Sequence, residues 1–137
     1  MKMIYLLDLN YTLVANSPPY GAKPIRPFIR QIEQEQYRQW LVELLRPHKV
    51  ILMTARPDRY REVTLKRIAA KTGWSPMDAF FGRIRARPHI IKEDLLLNHV
   101  FSKYGREGFS ALDSNPKTRT MYLKYGIRSV EIANRRS

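Results

Sequence analysis

Residues 3 to 14 read MIYLLDLNYTLV, a stretch in which a continuous apolar run ends at Asp8. Such a run, without alternation, is typical of a strand that is buried on both faces of a parallel sheet. A second run, VILMT, ends at Thr54, and a shorter mixed run, FSALD, ends at Asp113. The sequence therefore predicts buried strands that each end in a polar side chain.

Helical patterns lie between these strands. Apolar residues recur at helical spacing from Phe28 to Arg46, after a proline-rich loop at 14–27, and a basic amphipathic pattern covers Pro57 to Thr72. Weaker patterns predict a strand at 79–84, a helix at 91–104, a helix from 116 to about 125 and a last strand at 127–132.

The alternation of strands and helices predicts an α/β fold, with one three-layer, Rossmann-like parallel sheet covered by helices on both faces. The length of 137 residues fits a single domain, 1–137. In such sheets functional groups gather at the carboxyl ends of the strands. We therefore expect Asp8, Thr54 and Asp113 to lie along one edge of the sheet.

The charge balance favours an anionic partner. Lysine and arginine total 25 against 12 acidic residues, which gives a net charge of +13 and a pI near 10.3. A strongly positive surface attracts polyanions, so nucleic acid or a nucleotide is the expected partner. Since no run of five or more basic residues stands out, a general role of the charge in solubility is the alternative.

Several site classes are disfavoured. There is no cysteine, which excludes disulfides and thiolate chemistry, and the three histidines lack metal-binding spacing. Asp8 interrupts the first apolar run too early for a signal peptide, and no run is long enough to cross a membrane. We expect a soluble, cytoplasmic protein, and the sequence does not indicate its oligomeric state.

Four segments together resemble the motifs of the haloacid-dehalogenase-like (HAD) superfamily. YLLDLNYTLV resembles the first motif, ILMTARP the second, IIKEDLL the third through Lys92, and FSALDSNPKTRTMYLKYGI the fourth. They occur in the order of the family and span nearly the whole chain. The resemblance implies a capless HAD-like domain, because too few residues separate the first two motifs to form a cap.

The resemblance also implies a chemistry. Asp8 would attack phosphorus and form an aspartyl-phosphate. Thr54 would donate a hydrogen bond to a phosphoryl oxygen, and Lys92 would place an ammonium against the negative charge. Mg²⁺ would be held near Asp8, the main-chain carbonyl of Asn10, and the fourth motif at Asp113 and Ser114. The implied function is that of a metal-dependent phosphomonoesterase or phosphotransferase.

A narrower resemblance is to the phosphatase domain of polynucleotide kinase/phosphatase enzymes. TARPDRYREVTLKRI and ARPHIIK are similar to that branch, which makes Arg56 and Arg87 candidate contacts to a phosphate or to a nucleic acid backbone. It implies a nucleic acid end or nucleotide as substrate. Among the aromatic residues, we expect Tyr37 and Trp40 in the core, and Tyr11, Tyr20 and Tyr60 near the site.

Two departures from the family pattern remove carboxylates from the site. The usual second aspartate of the first motif is Asn10, whose amide cannot transfer protons. Counting back from Gly126 aligns Ser114 with the acidic residue that usually binds the metal. The alternative hypothesis is therefore a catalytically impaired HAD-like module that binds phosphate or nucleic acid.

Other phosphate-binding and nucleotide-binding folds fit less well. In a response-regulator receiver domain the phosphorylated aspartate follows the third strand, whereas Asp8 follows the first. No GxGxxG follows the first strand, and no GxxxxGK(S/T) loop occurs in the chain.

Overall fold

A parallel five-stranded sheet forms the centre of the computed structural model, which describes residues 3–19 and 21–132. The strand order is β3-β2-β1-β4-β5, and every pairing is parallel. The strands are β1 Ile4–Asp8, β2 Lys49–Pro57, β3 Asp78–Gly82, β4 Phe109–Leu112 and β5 Arg128–Val130. The central position of β1 accounts for its uninterrupted apolar run.

Helices cover both faces of this sheet. One face packs Leu7 and Leu52 against side chains of α2 and α3, and the other packs Leu6 and Ile51 against α4 and α6. The helices are α1 Phe28–Gln34, α2 Gln39–Leu45, α3 Arg61–Thr72, α4 Pro88–Leu95, α5 Phe101–Tyr104 and α6 Pro116–Leu123, and a π-helical segment, Leu96–Val100, joins α4 to α5. The predicted three-layer, Rossmann-like α/β architecture is confirmed.

The single helix predicted from Phe28 to Arg46 is wrong, because the chain is extended between α1 and α2. Here Tyr37 forms an antiparallel bridge with Val14, and the backbone N–H of Arg38 donates to Leu13 O over 2.8 Å. These long-range hydrogen bonds replace those of a continuous helix. The apolar spacing alone did not reveal them.

The break also changes which aromatic residue is buried. Tyr37 belongs to the core, as predicted, but Trp40 has 56% of its surface exposed. After the break α2 buries Leu41, Val42 and Leu45, which leaves Trp40 on the solvent side. The prediction that Trp40 is a core residue is wrong.

Several predicted boundaries shift by a few residues. Strand β2 continues to Pro57, and a short 3₁₀ turn, Asp58–Tyr60, precedes α3. Strand β3 ends at Gly82, where a Cβ atom would lie 2.7 Å from Ala55 O on β2. A side chain at this position would therefore clash with the neighbouring strand.

The segment between β1 and β2 contains a loop and the two short helices α1 and α2, with no separate domain among its described residues. Within residues 3–19 and 21–132, no helix has both the length and the apolar character needed to cross a membrane.

Candidate functional site

The carboxyl ends of three neighbouring strands meet at one small cavity. Strand β1 ends at Asp8, Thr54 lies near the end of β2, and Asp113 directly follows β4. The cavity has a volume of about 90 Å³ and is lined by Asp8, Asn10, Tyr11, Thr54, Ala55, Pro88, Lys92, Ser114 and Asn115. Five of the predicted site residues therefore line one cavity, namely Asp8, Asn10, Thr54, Lys92 and Ser114.

Lys92 joins the two aspartates. Its ammonium lies 2.6 Å from Asp8 Oδ1 and 2.6 Å from Asp113 Oδ2, and all three side chains are at least nine-tenths buried. Burial opposes the charge of Lys92, but the carboxylates of Asp113 and Asp8 outweigh it and raise the pKa of Lys92 above its ordinary value. Lys92 is thus a fixed positive charge beside Asp8.

One cation does not balance two buried carboxylates. Burial and the negative charge of Asp8 raise the pKa of Asp113 to about 6, although Lys92 acts in the opposite direction. The backbone N–H of Asn115 also donates to Asp113 Oδ1 over 2.9 Å, which favours the ionised form. With both carboxylates ionised, the cluster carries one excess negative charge, which a second cation would neutralise.

The second oxygen of Asp8 is held by hydroxyl groups. Thr12 Oγ1 donates to Asp8 Oδ2 over 2.9 Å, and Ser114 Oγ donates to the same oxygen over 3.1 Å. Tyr11, the residue before Thr12, has a positive φ of 63°, and its backbone N–H donates to Ser17 Oγ over 2.7 Å. The main-chain carbonyl of Asn10, next to this irregular turn, lies 3.4 Å from Ser114 Oγ. Tyr11 lines the cavity, as expected, and its hydroxyl donates to Pro18 O over 2.7 Å.

The donor set fits a magnesium ion. Ser114 Oγ lies 3.1 Å from Asp8 Oδ2 and 3.4 Å from Asn10 O, so a carboxylate, a hydroxyl and a main-chain carbonyl converge. Proteins usually bind Mg²⁺ through one or two carboxylates, with water and substrate phosphate completing the octahedron. Asp113 is turned toward Lys92 and Asn115. The part of the chain that the structure describes contains no cluster of three or more His, Cys, Asp or Glu with metal-binding geometry.

Arg56 lies behind the cavity wall. It is 3% exposed and forms an ion pair with Glu35, with Nη2 2.5 Å from Glu35 Oε2 and Nη1 3.1 Å from Glu35 Oε1. Its Nη2 also donates to Asn10 Oδ1 over 3.0 Å. Since arginine only donates hydrogen bonds, the amide oxygen of Asn10 faces Arg56 and its NH₂ group is turned the other way. Arg56 therefore orients Asn10 and does not line the cavity.

Glu35 is the residue of this network that the sequence analysis missed. It follows α1 at the break before α2, is 3% exposed, and also accepts a hydrogen bond from the Tyr37 hydroxyl over 3.3 Å. Burial and the charge of Glu35 together raise the pKa of Tyr37. The available signal was a carboxylate three residues after Ile32, on the apolar side of the predicted helix. A buried charge there requires a buried partner.

The remaining predicted residues lie around the cavity. Arg87 is exposed at the N-terminus of α4, next to the cavity residue Pro88. Tyr60 lies outside the small cavity, on a larger concave surface beyond the end of β2. Tyr20 lies outside the described residues.

Comparison with known proteins agrees with the fold. No family model and no curated protein sequence matches the chain. Two solved structures, of the Pnkp1/Rnl/Hen1 RNA repair complex and of a Pnkp1/Rnl/Hen1 complex, match 98% of it at 21% and 22% identity, with TM-scores of 0.76 and 0.75. The chain spans 43% and 47%, less than half, of the matched chains in these complexes.

A third solved structure is similar over almost its full length. It is the crystal structure of a hydrolase from Streptococcus pneumoniae TIGR4, which matches 98% of this chain and 95% of its own, with 15% identity and a TM-score of 0.63. At such identities the likeness establishes the fold. It supports the α/β architecture with a parallel sheet that the sequence predicted.

Proposed function

We propose that the protein is a metal-dependent phosphomonoesterase that acts on a nucleic acid end through an aspartyl-phosphate on Asp8. One observation carries this proposal: the carboxylate of Asp8 ends the central strand with Lys92 Nζ 2.6 Å from its Oδ1, and Thr54 lines the same small cavity. A carboxylate attacks phosphorus only when the negative charge of the phosphate is neutralised. The fixed charge of Lys92 supplies part of that neutralisation.

The reaction has two steps. A carboxylate oxygen of Asp8 forms a bond to phosphorus while the phosphorus–oxygen ester bond breaks, and the leaving alkoxide takes a proton from water. A second water then attacks phosphorus, the acyl-phosphate bond to Asp8 breaks, and inorganic phosphate leaves with the carboxylate restored. Thr54 donates a hydrogen bond to a phosphoryl oxygen, and Lys92 stabilises the charge that develops on the phosphoryl group.

Asp8, the main-chain carbonyl of Asn10 and Ser114 are the groups that would hold Mg²⁺, with Asp113 in reach through water. When bound, the ion adds positive charge against the phosphoryl oxygens. This role fits the excess negative charge of the cluster formed by Lys92, Asp8 and Asp113. It also fits the convergence of Asp8 Oδ2, Ser114 Oγ and Asn10 O.

Proton transfer is the weak step of this mechanism. Asn10 occupies the place of the family's acid/base aspartate, and its amide can hydrogen-bond to a phosphoryl oxygen but cannot exchange a proton. With the amide oxygen held by Arg56, the NH₂ group is the part available to an anion. We therefore infer a slow enzyme in which water supplies and accepts the protons.

Charge and access support a nucleic acid substrate. The net charge is +13, and exposed arginines follow β3 at 83, 85 and 87, on the edge of the sheet that carries the site. The absence of a cap among the described residues leaves room for a large substrate. Part of the matched chain in a Pnkp1/Rnl/Hen1 RNA repair complex has a similar fold, and the sequence resembles the phosphatase domain of polynucleotide kinase/phosphatase enzymes.

A phosphate-binding module without turnover is the second candidate. It is favoured by the amide of Asn10 and the hydroxyl of Ser114, which stand where a working family member has carboxylates. In this case Asp8, Thr54 and Lys92 would bind a phosphate group without forming a covalent bond to it.

Hydrolysis assays distinguish the two candidates. Purified protein is given p-nitrophenyl phosphate, a 3′-phosphorylated oligonucleotide and a 5′-phosphorylated oligonucleotide, each with Mg²⁺ or with EDTA. We expect Mg²⁺-dependent release of phosphate that is faster from an oligonucleotide. No release from any of the three, together with measurable binding of the phosphorylated oligonucleotides, would overturn the proposal in favour of the binding module.

A further inference from the structure

A second concave surface lies beside the catalytic cavity. It is formed by residues 24–28, in the loop before α1 and at its start, and by Pro57, Arg59 and Tyr60 at and after the end of β2, and its volume is about 680 Å³. Three prolines and one isoleucine supply part of its wall, and Phe28 and Tyr60 supply two partly exposed rings. We call this surface the aromatic basin.

Aromatic rings and guanidinium groups lie together in the aromatic basin. The rings of Phe28 and Tyr60 meet edge to face, with centroids 4.9 Å apart. The guanidinium of Arg59 lies 4.7 Å from the centroid of the Tyr60 ring, and the exposed Arg26 also lines the basin. None of the described residues that line the basin is acidic. The basin thus combines flat apolar surfaces with positive charge.

The buried Arg56 lies between the aromatic basin and the catalytic cavity. Arg56 donates to Asn10 Oδ1 over 3.0 Å on the cavity side, and its guanidinium carbon lies 5.0 Å from the centroid of Phe28 on the basin side. With ordinary bond lengths, these contacts place the Phe28 ring within about 10 Å of Asn10 Oδ1. A ligand with a phosphate in the cavity can therefore place its next chemical group in the basin.

Basic residues extend from the aromatic basin along the same edge of the sheet. Strand β3 is the neighbour of β2, and exposed arginines follow its carboxyl end at 83, 85 and 87. Arg59 follows the carboxyl end of β2. A polyanion that leaves the cavity would meet these guanidinium groups, which suit phosphate oxygens.

We propose that the aromatic basin binds the nucleobase adjacent to the phosphate that Asp8 attacks, in a single-stranded end. This inference rests on the proposed function. Aromatic side chains bind unpaired bases by stacking, and every base offers a π-face, so the basin should accept different bases. The terminal base of a duplex is held by its base pair and by stacking on its one neighbour, so a duplex end would have to unpair to place this base in the basin.

The test measures binding without turnover. The full chain in EDTA, at constant salt, is titrated into a fluorescent thymidine hexanucleotide that carries a 3′-phosphate, and anisotropy gives Kd. A second probe is identical except that its last nucleotide is abasic. A second pair of probes tests the opposite polarity. Both carry a 5′-phosphate, and in one of them the first nucleotide is abasic.

The variants separate stacking from folding. Tyr60→Ala removes a ring of the basin, Tyr60→Phe keeps the ring without its hydroxyl, and Arg59→Ala removes one rim charge. The matched controls are Tyr104→Ala and Arg106→Ala. These residues lie just before β4, at the amino ends of the strands and therefore opposite the site.

In one of the two polarities, we expect the wild type to bind the probe with a terminal base more tightly than the matching abasic probe. The expected ratio of the two Kd values is about 5-fold to about 100-fold. Tyr60→Ala should abolish that difference, whereas Tyr60→Phe and Tyr104→Ala should keep it. Arg59→Ala should weaken binding to both probes and lower the salt dependence, whereas Arg106→Ala should change the affinity less. Equal affinities of the wild type for base-containing and abasic probes in both polarities, or a preference that survives in Tyr60→Ala, would overturn the proposal.

A separate measurement tests the proposed function on which the inference rests. Glycerol phosphate carries no base, so its Mg²⁺-dependent hydrolysis depends on the catalytic cavity and should be the same in wild type and Tyr60→Ala. Hydrolysis without a base-dependent Kd would retain the enzyme and refute the nucleobase site. A base-dependent Kd without hydrolysis of any phosphate ester would retain the nucleobase site and refute the enzyme.

Discussion

The ammonium of Lys92 lies 2.6 Å from Asp8 Oδ1, although the two residues belong to different layers of the fold. Asp8 ends the central strand of the sheet, and Lys92 projects from α4, which packs on one face of it. The packing of this helix therefore fixes the distance between the proposed nucleophile and its neutralising charge. We therefore expect changes at this contact to affect both stability and the proposed activity.

Replacement of Lys92 by methionine should harm both properties. The substitution leaves Asp8 and Asp113 buried without their shared cation, and loss of one partner from a buried ion pair costs about 3–5 kcal/mol. Turnover should fall by about 10²-fold or more because the charge that stabilises the phosphoryl group is gone. Urea unfolding and hydrolysis of p-nitrophenyl phosphate measure the two effects.

Lys124→Met is the matched control, since Lys124 forms an ion pair with Glu93 on the surface, 2.7 Å apart. Lys124→Met should change neither the free energy of unfolding nor the turnover of p-nitrophenyl phosphate appreciably. A Lys92→Met protein as stable and as active as the wild type would contradict the role of this contact.

The raised pKa of Asp113 predicts a pH-dependent stability in the metal-free protein. The pKa is about 6 in the folded state and about 3.9 for an unfolded aspartate, so the folded state binds the proton more tightly. The stabilisation from this proton is present at low pH and is lost as the pH rises from about 4 to about 6. Asp113→Asn cannot titrate and removes this contribution.

The measurement is urea unfolding in EDTA at several pH values between 4 and 7. The free energy of unfolding of the wild type minus that of Asp113→Asn should decrease over this range and become constant near pH 7. A difference that does not vary with pH would refute the raised pKa.

Asn10→Asp should increase turnover. An aspartate at this position would keep one oxygen toward Arg56, 3.0 Å away in the wild type, and present the other to the reacting groups. If proton transfer limits the rate, the gain should be on the order of 10²-fold. Initial rates of hydrolysis under saturating Mg²⁺ measure it, with Asn98→Asp, on the exposed side of the Leu96–Val100 segment, as the control.

Asn10→Asp without any gain would show that proton transfer by residue 10 does not limit the rate. The limiting defect would then be assigned to Ser114, the hydroxyl that replaces the second acidic residue of the fourth motif.

Glu35→Gln should destabilise the protein and, through Arg56, disturb the position of Asn10 at the site. The change leaves the buried guanidinium of Arg56 without its carboxylate, at a cost of about 3 kcal/mol or more in the free energy of unfolding. Arg56 also holds Asn10, so a lower kcat on p-nitrophenyl phosphate should accompany the loss.

Glu43→Gln is the control for Glu35→Gln, because Glu43 pairs with Arg46 on the surface over 2.8 Å. Exposed pairs of this kind contribute little, so its unfolding curve should overlay that of the wild type. Equal losses in the free energy of unfolding for the two substitutions would show that the buried pair of Glu35 and Arg56 contributes no more to stability than the exposed pair of Glu43 and Arg46.

The order of strands and helices and most of the cavity could be predicted from the sequence. Strands buried on both faces produce continuous apolar runs, and the polar residue that ends each run marks the edge where the site forms. Asp8, Thr54 and Asp113 were found in this way. Lys92 was found through the HAD resemblance, since nothing in the pattern of α4 alone distinguishes it from other lysines.

The break between α1 and α2 could not be predicted from local patterns. It depends on Glu35, whose burial requires Arg56 from a different element, and on the bridge between Val14 and Tyr37. Arg56 was expected to contact a phosphate because its sequence context resembles a family motif. Local sequence did not reveal its ion pair with Glu35, which lies 21 residues earlier in the chain. Such contacts are specified by the assembled fold.

The central claim is that Asp8 takes up the phosphoryl group, and a trapping experiment tests it most directly. The protein is mixed with p-nitrophenyl phosphate and Mg²⁺, quenched, treated with borohydride and digested for mass spectrometry, beside Asp8→Asn and the control Asp94→Asn. Borohydride reduces an aspartyl-phosphate to homoserine. We predict homoserine at position 8 in the wild type and in Asp94→Asn, and none in Asp8→Asn. Turnover that persists in Asp8→Asn, or that proceeds in the wild type with no modification at position 8, would contradict the account.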